Sequence, residues 1–461
     1  MTFPTLPLAQ RLSYETLGQI FLVLVDLSPD WARLRPLAGP LALTGVCASW
    51  RVVALSLPML WNSLVVDFLP PDNHRVPSLR WVDSRFWMAY TWLARGRSLG
   101  LCLDLKISLW KPTVEPKVEI LLRHFASSLD ILRLSTEGSS LSSERRNVRL
   151  DSPSGYPRLR ELDLAINNDF QWPPSFTIAF PRLERLSFRP HMRASSSYKN
   201  LAPADLPIEN WGRITHLRLD MCGEIDEMCK TVENCPQLRG LHLAGFGMGP
   251  PSDQPLSLPS LTLLNIETSS GWPLAPLLRW KLPKLRTLSL GEVRVNQPQH
   301  MITWIQGVFQ SVPFERVTSF AVAYNYTTPN FFELLLPTLP RMRRLRIPFD
   351  ADFCSKIVDT AKRLPLEQLC ISVGIRQQHH ELAGPITEAM RALTAALHAG
   401  KFGPRMSPAA IIFLVECWYP LDPEPQARVD QFLRDAGQLG VTVHTGQPST
   451  LPKRLFHVFD A

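Results

Sequence analysis

The feature that most limits what this chain can fold into is a short apolar pattern, L-x-x-L-x-L, that recurs ten times with Ile, Val, Met or Phe as substitutes. Its first positions are Leu129, Leu159, Leu183, Ile214, Leu238, Leu261, Leu285, Val317, Met342 and Leu366. The steps between them are 30, 24, 31, 24, 23, 24, 32, 25 and 24 residues, so six of nine lie within one residue of 24. An L-x-L triplet reads as a strand whose alternate side chains point one way, and a single such strand cannot bury them. Consecutive strands stacked in parallel can, provided that each intervening segment carries the chain back over the other face.

Several return segments have helical periodicity: Ile225/Met228/Cys229/Val232, Trp304/Ile305/Val308/Phe309, Phe331/Phe332/Leu335/Leu336 and Phe353/Ile357/Val358/Ala361. A period of 20 to 29 residues of this kind resembles the leucine-rich-repeat family over about Leu101 to Leu382. The asparagine ladder of that family is sparse, since the position eight residues after the first leucine is Asn or Cys only at Asn167, Cys222 and Asn325. An irregular α/β solenoid is therefore expected. Flanking strands are predicted at Leu101/Leu103/Leu105/Ile107, Ile411/Phe413/Val415 and Val441/Val443. Helices are predicted around Trp87 to Leu93, at Leu121/Leu122/Phe125, at Ile386/Met390/Leu393/Leu397 and at Val429/Phe432/Leu433.

Upstream the pattern changes to two or three short amphipathic helices. The string LSYETLGQIF from Leu12, then V-C-x-x-W at Val46, Cys47 and Trp50, then L-W at Leu60 and Trp61, resembles an F-box over Leu12 to about Val66. The usual Pro is replaced by Ser13, and the spacer from Asp26 to Leu41 is longer than in a compact F-box. A leucine-rich array behind such a module is similar to a family abundant in mushroom-forming fungi. The resemblance implies a non-catalytic receptor: the F-box docks a Skp-type adaptor and through it a cullin, in an SCF-type ubiquitin ligase, and the repeats hold a protein substrate. It also implies the adaptor-binding set Leu12, Leu17, Ile20, Phe21, Val46, Cys47, Trp50, Leu60 and Trp61. The alternatives are a small helical cap on a leucine-rich-repeat scaffold with no ubiquitin role, or an RNA-associated basic solenoid. The expected divisions are an F-box-like module at 1–66, a linker and cap at 67–120, about ten repeats at 121–375, and an α/β cap at 376–461.

Strand alternation places Arg133, Glu161, Asp163, Arg185, Arg189, His216, Arg218, Asp220, His242, Asn265, Glu267, Arg344 and Arg346 on the outward face of the sheet. Of these, Arg185, Arg189, His216, Arg218, His242, Arg344 and Arg346 are the candidate substrate-binding residues. The net charge of +8 over 461 residues permits an acidic partner, but is modest for a dedicated nucleic-acid binder.

No nucleotide-binding, zinc-protease or hydrolase signature occurs, and no cofactor or metal is expected. Cys222, Cys229 and Cys235 fit no common zinc spacing. Gly245 to Gly249 precedes Pro250 and Pro251, which suits a repeat loop better than a dinucleotide turn. His379-His380 reads as an exposed loop. The eight cysteines contain no C-x-x-C pair, and the chain has neither a signal-peptide pattern nor an apolar run long enough for a membrane helix. A cytoplasmic or nuclear location follows as the expectation.

Overall fold

The computed structural model describes residues 12–27, 31–34, 39–68, 78–108, 114–137, 155–167, 180–191, 208, 210–220, 225–244, 256–267, 280–290, 314–322, 340–348, 365–375, 388, 391–396, 399, 411–417, 423–438 and 440–446. It divides into two units, Met1–Met221 and Cys222–Ala461.

The first unit opens with three helices, α1 (Tyr14–Leu27), α2 (Gly39–Val46) and α3 (Ala48–Ser56). The serine that stands in the place of Pro starts α1: the Ser13 hydroxyl accepts a hydrogen bond from the Thr16 amide at 3.2 Å. This is N-capping, which satisfies one of the amides a helix start leaves without an intrahelical partner. A hydrogen bond from its own backbone amide, and then one from the Ser13 side chain, hold the Glu15 carboxyl below its ordinary range. Leu17 and Phe21 are fully buried, and the Phe21 ring meets Trp50 of α3 edge-on at 5.1 Å.

The first strand, β1 (Ser63–Asp67), follows Trp61 directly. Trp61 is fully buried and its indole N–H donates to the Ala54 carbonyl at 2.8 Å. Its ring stands edge-on to Trp92 of the next helix, α4 (Leu79–Gly96), at 5.2 Å. The Arg95 guanidinium lies 4.6 Å over it. α4 approaches so closely that a Cβ at Gly96 would sit 2.5 Å from the Trp61 carbonyl oxygen.

The long spacer between the first two helices has a structural job. The Val65 amide donates to Ala32 at 2.7 Å, and the Leu34 amide donates to Val65 at 3.1 Å. Residues 31–34 thus pair with the outer edge of β1 as a parallel bridge, closing an edge that would otherwise expose unpaired backbone. The chain re-enters α2 through Gly39 at φ +58°, where a Cβ would collide with the Trp31 carbonyl.

Beyond β1 the unit continues through β2 (Leu101–Ser108), α5 (Glu115–Phe125), β3 (Leu129–Glu137), β4 (Glu161–Asn167), β5 (Arg185–His191) and β6 (His216–Asp220). The strands are parallel and neighbours in the sheet are neighbours in sequence. Leu64, Leu103, Leu132, Leu162, Leu186 and Leu217 stand in one register row, and each is buried.

The second unit holds α6 (Ile225–Glu233), β7 (Gly240–Ala244), β8 (Leu263–Glu267), β9 (Thr287–Leu290), β10 (Ser319–Val322), β11 (Arg344–Pro348), β12 (Gln368–Ile375), β13 (Ile411–Cys417), a helix at Pro423–Gln438, and β14 (Thr442–Gly446). Its row runs Leu241, Leu264, Leu288, Phe320, Leu345, Leu369 and Ile411. All ten predicted strands and the three flanking ones are present and, with β1, make fourteen among the described residues, in chain order. The fold is α/β, a leucine-rich-repeat-like solenoid. The helices expected at Trp304, Phe331 and Phe353, the Gly245 loop and His379-His380 lie outside the described residues.

Two local devices repeat. A four-residue turn precedes the first leucine of most units. The Leu159 amide donates to the Tyr156 carbonyl, Leu183 to Phe180, Leu238 to Cys235, Leu261 to Leu258 and Leu285 to Leu282, at 3.1 to 3.3 Å. In each the second residue is a proline (Pro157, Pro181, Pro236, Pro259 and Pro283), whose fixed φ suits that corner. Past the first leucine, one carbonyl accepts two amides from the following unit. The Arg160 carbonyl takes those of Glu184 and Arg185, and Thr262 those of Arg286 and Thr287, all at 2.9 Å.

Burying a leucine side chain contributes about 1.5–3 kcal/mol, and truncation adds a cavity cost. Leu264→Ala should therefore lower unfolding stability by about 2–5 kcal/mol in a urea titration. Gly39→Ala should lower it by at least about 1 kcal/mol, since its φ is left-handed and the Trp31 carbonyl blocks the Cβ.

Candidate functional site

Two surfaces carry the residues singled out by sequence. On the helical module the nine-residue adaptor-binding set divides. Leu17, Phe21, Leu60 and Trp61 are core. Cys47 and Trp50 are half-buried. Leu12, Ile20 and Val46 are exposed, at 39%, 38% and 57%. Alternation cannot make that division, because a three-helix module needs apolar residues on its inner faces whether or not its outer face binds anything. The exposed members have company that the sequence reading passed over: Tyr14 and Val23 on α1, Val52 and Leu55 on α3, and Met59 just after it. An aqueous surface gains nothing from such residues, and several of them on three consecutive helices are candidates for an interaction site.

The second surface is the outward face of the sheet. In the first unit its charges are matched. The Arg133 Nη2 donates to Glu161 Oε1 at 2.7 Å, and Arg185 approaches the other Glu161 oxygen at 3.8 Å. Arg189 of β5 reaches Asp163 of the adjacent β4 at 2.6 Å, and Arg218 holds Asp220 at 2.9 Å. Register explains the pairing, since Ile131, Glu161 and Arg185 share one row while Arg133 and Asp163 face each other in the next. Burial by itself would lower the Arg133 pKa, but the Glu161 hydrogen bond and charge outweigh it and the net shift is upward. Arg185 and Arg189, two of the candidate substrate-binding residues, thus belong to an ion-paired lattice. His216 continues it, hydrogen-bonded to Thr215 at 3.0 Å.

In the second unit Arg344 is half-buried on β11. Arg346 is only 5% exposed and its Nε donates to Ser372 Oγ at 2.9 Å. The expectation of a solvent-facing Arg346 does not hold. Its row neighbours Ala321, Cys370 and Ile412 are buried as well, so this stretch of the sheet is enclosed on both faces. On β7 and β8, His242 Nδ1 lies 2.6 Å from the Asn265 side-chain amide nitrogen. That nitrogen also donates to Glu267 Oε1 at 3.4 Å.

Among the described residues no group of three His, Cys, Asp or Glu could hold a metal, and no helix is long and apolar enough to cross a membrane. Cys222 and Asn325 lie outside the described residues. Cys47, Cys102, Cys229, Cys235 and Cys370 form no disulfide among the described residues. Burial raises the Cys102 thiol, with the Arg133 charge opposing, and pushes Cys235 up to about 12.

No protein-family profile matches the chain, and no curated protein matches it. Among solved structures, a Bacteroides fragilis protein determined as a Northeast Structural Genomics Consortium target is 13% identical, with a TM-score of 0.27 over 71% of this chain and 69% of that one. The TLR13–ssRNA13 complex is 12% identical, with a TM-score of 0.30 over 76% of this chain and 46% of the TLR13 chain. The fold assignment rests on the strand register.

Ion pairs that keep contact with water contribute modestly, so a double-mutant cycle on the part-buried Arg189 and Asp163 should return a coupling of about 0.5–1 kcal/mol that shrinks in 1 M salt. Cys235 holds its proton at pH 8 and is buried. Iodoacetamide should modify it only after unfolding, and rapid labelling of the native protein at pH 8 would contradict the environment described.

Proposed function

We propose that the chain is a non-catalytic substrate receptor of an SCF-type ubiquitin ligase: the amino-terminal helices dock a Skp-type adaptor, which links to a cullin, and the outward sheet face holds a protein substrate. The observation that carries this reading is the apolar surface of α1 to α3. The module already has a closed core in Leu17, Phe21, Leu60 and Trp61, yet it leaves Leu12, Ile20, Val23, Val46, Val52 and Leu55 in contact with solvent. These residues are surplus to folding and suited to a helix-packing partner. Their sequence context, the F-box-like motif followed by leucine-rich repeats, supplies the identity of that partner. Ubiquitin transfer would belong to other subunits of the ligase, and the receptor would act in the cytoplasm or nucleus.

The first motif's two departures are compatible with the reading. Ser13 supplies a helix cap where the family has Pro, and the extra spacer residues pair with β1. Neither occupies the apolar surface.

The test is binding of the full chain to a Skp-type adaptor, measured by calorimetry. Wild type should bind, and Ile20→Asp and Val46→Asp should each weaken binding by about 30-fold or more, the loss of a hot-spot residue. Both positions are exposed, so the variants should keep the wild-type melting temperature. Trp61→Ala would be ambiguous, because Trp61 is core. An intact protein with no affinity for the adaptor would eliminate the ligase reading and leave a leucine-rich-repeat scaffold.

A further inference from the structure

We infer that the strand-entry rim of the second unit is a docking strip for an acidic segment of a partner protein. This rests on the reading that the repeats hold a protein, and it names the chemistry by which they would do so. The starting observation is an accumulation of one sign of charge. Lys284, Arg316 and Arg341 each stand immediately before the buried first residue of a repeat, Leu285, Val317 and Met342. Arg286 and Arg343 stand immediately after that residue in their repeats. All five are exposed. They lie at the entries of three neighbouring strands, β9, β10 and β11, spaced about 4.8 Å apart.

Folding alone does not call for this arrangement, since like charges on neighbouring strands repel. At the same positions of the first unit the signs alternate. Arg158 pairs with Asp130 at 3.1 Å, and Glu184 stands between Arg160 and Thr215 in the row that the shared carbonyls define. In the second unit the compensation is slight. Glu367 lies 3.6 Å from Arg343. The Arg316 guanidinium donates to the Pro283 carbonyl at 2.8 Å, which occupies one N–H and leaves the charge in place. The side chains of Lys284, Arg286 and Arg341 make no ion pair or hydrogen bond among the described residues.

Such a strip selects an anion, and the residue types around it select a protein over a nucleic acid. Four of the five cations are arginines, whose planar fork takes a carboxylate or a phosphate through two parallel hydrogen bonds. A single nucleic-acid strand is held by aromatic side chains as well as by charge. The described residues one before and one after each first leucine, from β7 to β12, include no aromatic. Length points the same way, since three strand entries span about 10 Å, the reach of three or four extended residues. A short run of Asp or Glu fits that span.

The experiment titrates the full-length protein with fluorescein-labelled hexaglutamate at low salt, by fluorescence anisotropy. A net charge of +8 attracts this peptide everywhere, so variants that remove equal charge from different places separate a strip from a general field. The double variant Lys284→Gln/Arg286→Gln should weaken binding about tenfold, and Arg182→Gln/Arg213→Gln on the first unit's rim should leave it within about twofold. All four positions are exposed, and both variants should keep the wild-type melting temperature. No binding by wild type, or equal weakening by the two double variants, would overturn the assignment. So would tighter binding of hexauridylate than of hexaglutamate, lost in Lys284→Gln/Arg286→Gln, which would make the strip a nucleic-acid surface. Adaptor binding measured on the same variants separates the two questions. It should be unaffected by either double variant, and its absence from a wild type that binds hexaglutamate would refute the ligase reading and leave the strip standing.

Discussion

The structure depends on a backbone hydrogen bond that is used twice. At the entry to β5, β6 and β8 to β12, one carbonyl of the preceding unit accepts two successive amides of the next. The Glu184 carbonyl takes Thr215 and His216, Arg239 takes Thr262 and Leu263, Arg286 takes Thr318 and Ser319, and Arg343 takes Glu367 and Gln368. Two donors on one oxygen fix the phase of the incoming strand, because a slip of one residue would break both. Side-chain alternation has a period of two, so such a slip would also exchange the buried and solvated faces. Within each of the two units the leucine row stays in register because these strands are indexed by their predecessors as well as by their side chains. Irregular steps of 30 to 32 residues are tolerated for the same reason: extra residues enter the return segment and leave the indexing point untouched.

The turn one step earlier prepares that point. Pro157, Pro181, Pro236, Pro259 and Pro283 hold the chain at the corner from which the first leucine enters the core. A proline here removes an amide that the turn does not use and lowers the entropy lost on folding. The chain's 42 prolines are therefore partly a periodic element in their own right.

The strands of the array were legible because their signal is local and periodic: a leucine at positions one, four and six suffices. The turn has a local signal too, a proline two residues before the first leucine at Pro157, Pro181, Pro236, Pro259 and Pro283, which emerges only when prolines are counted relative to the leucines. Other features depend on distant residues. Nothing in Val46 or Trp61 reveals that one is exposed and the other enclosed by Trp92 and Arg95. Nothing in the alternation around Arg346 announces that this part of the outward face is covered. The pairing of Arg189 with Asp163 needs the register, and the register is known only once the strands are stacked. The spacer illustrates the same limit, for a stretch that looked like an excess in the helical motif completes the sheet.

That spacer has a consequence for how such a protein can change. Residues 31–34 close the outer edge of β1, and Trp61 ties the helical module to α4, so the origin of the array is anchored to the helices. Within the first unit, any repeat gained or lost between β1 and β6 moves the strands after it by one strand spacing, about 4.8 Å, while the anchored end stays in place. The separation between whatever the helices hold and whatever these strands hold is consequently quantised. Evolution can set it in steps by counting repeats, as one sets the length of a ruler by its divisions.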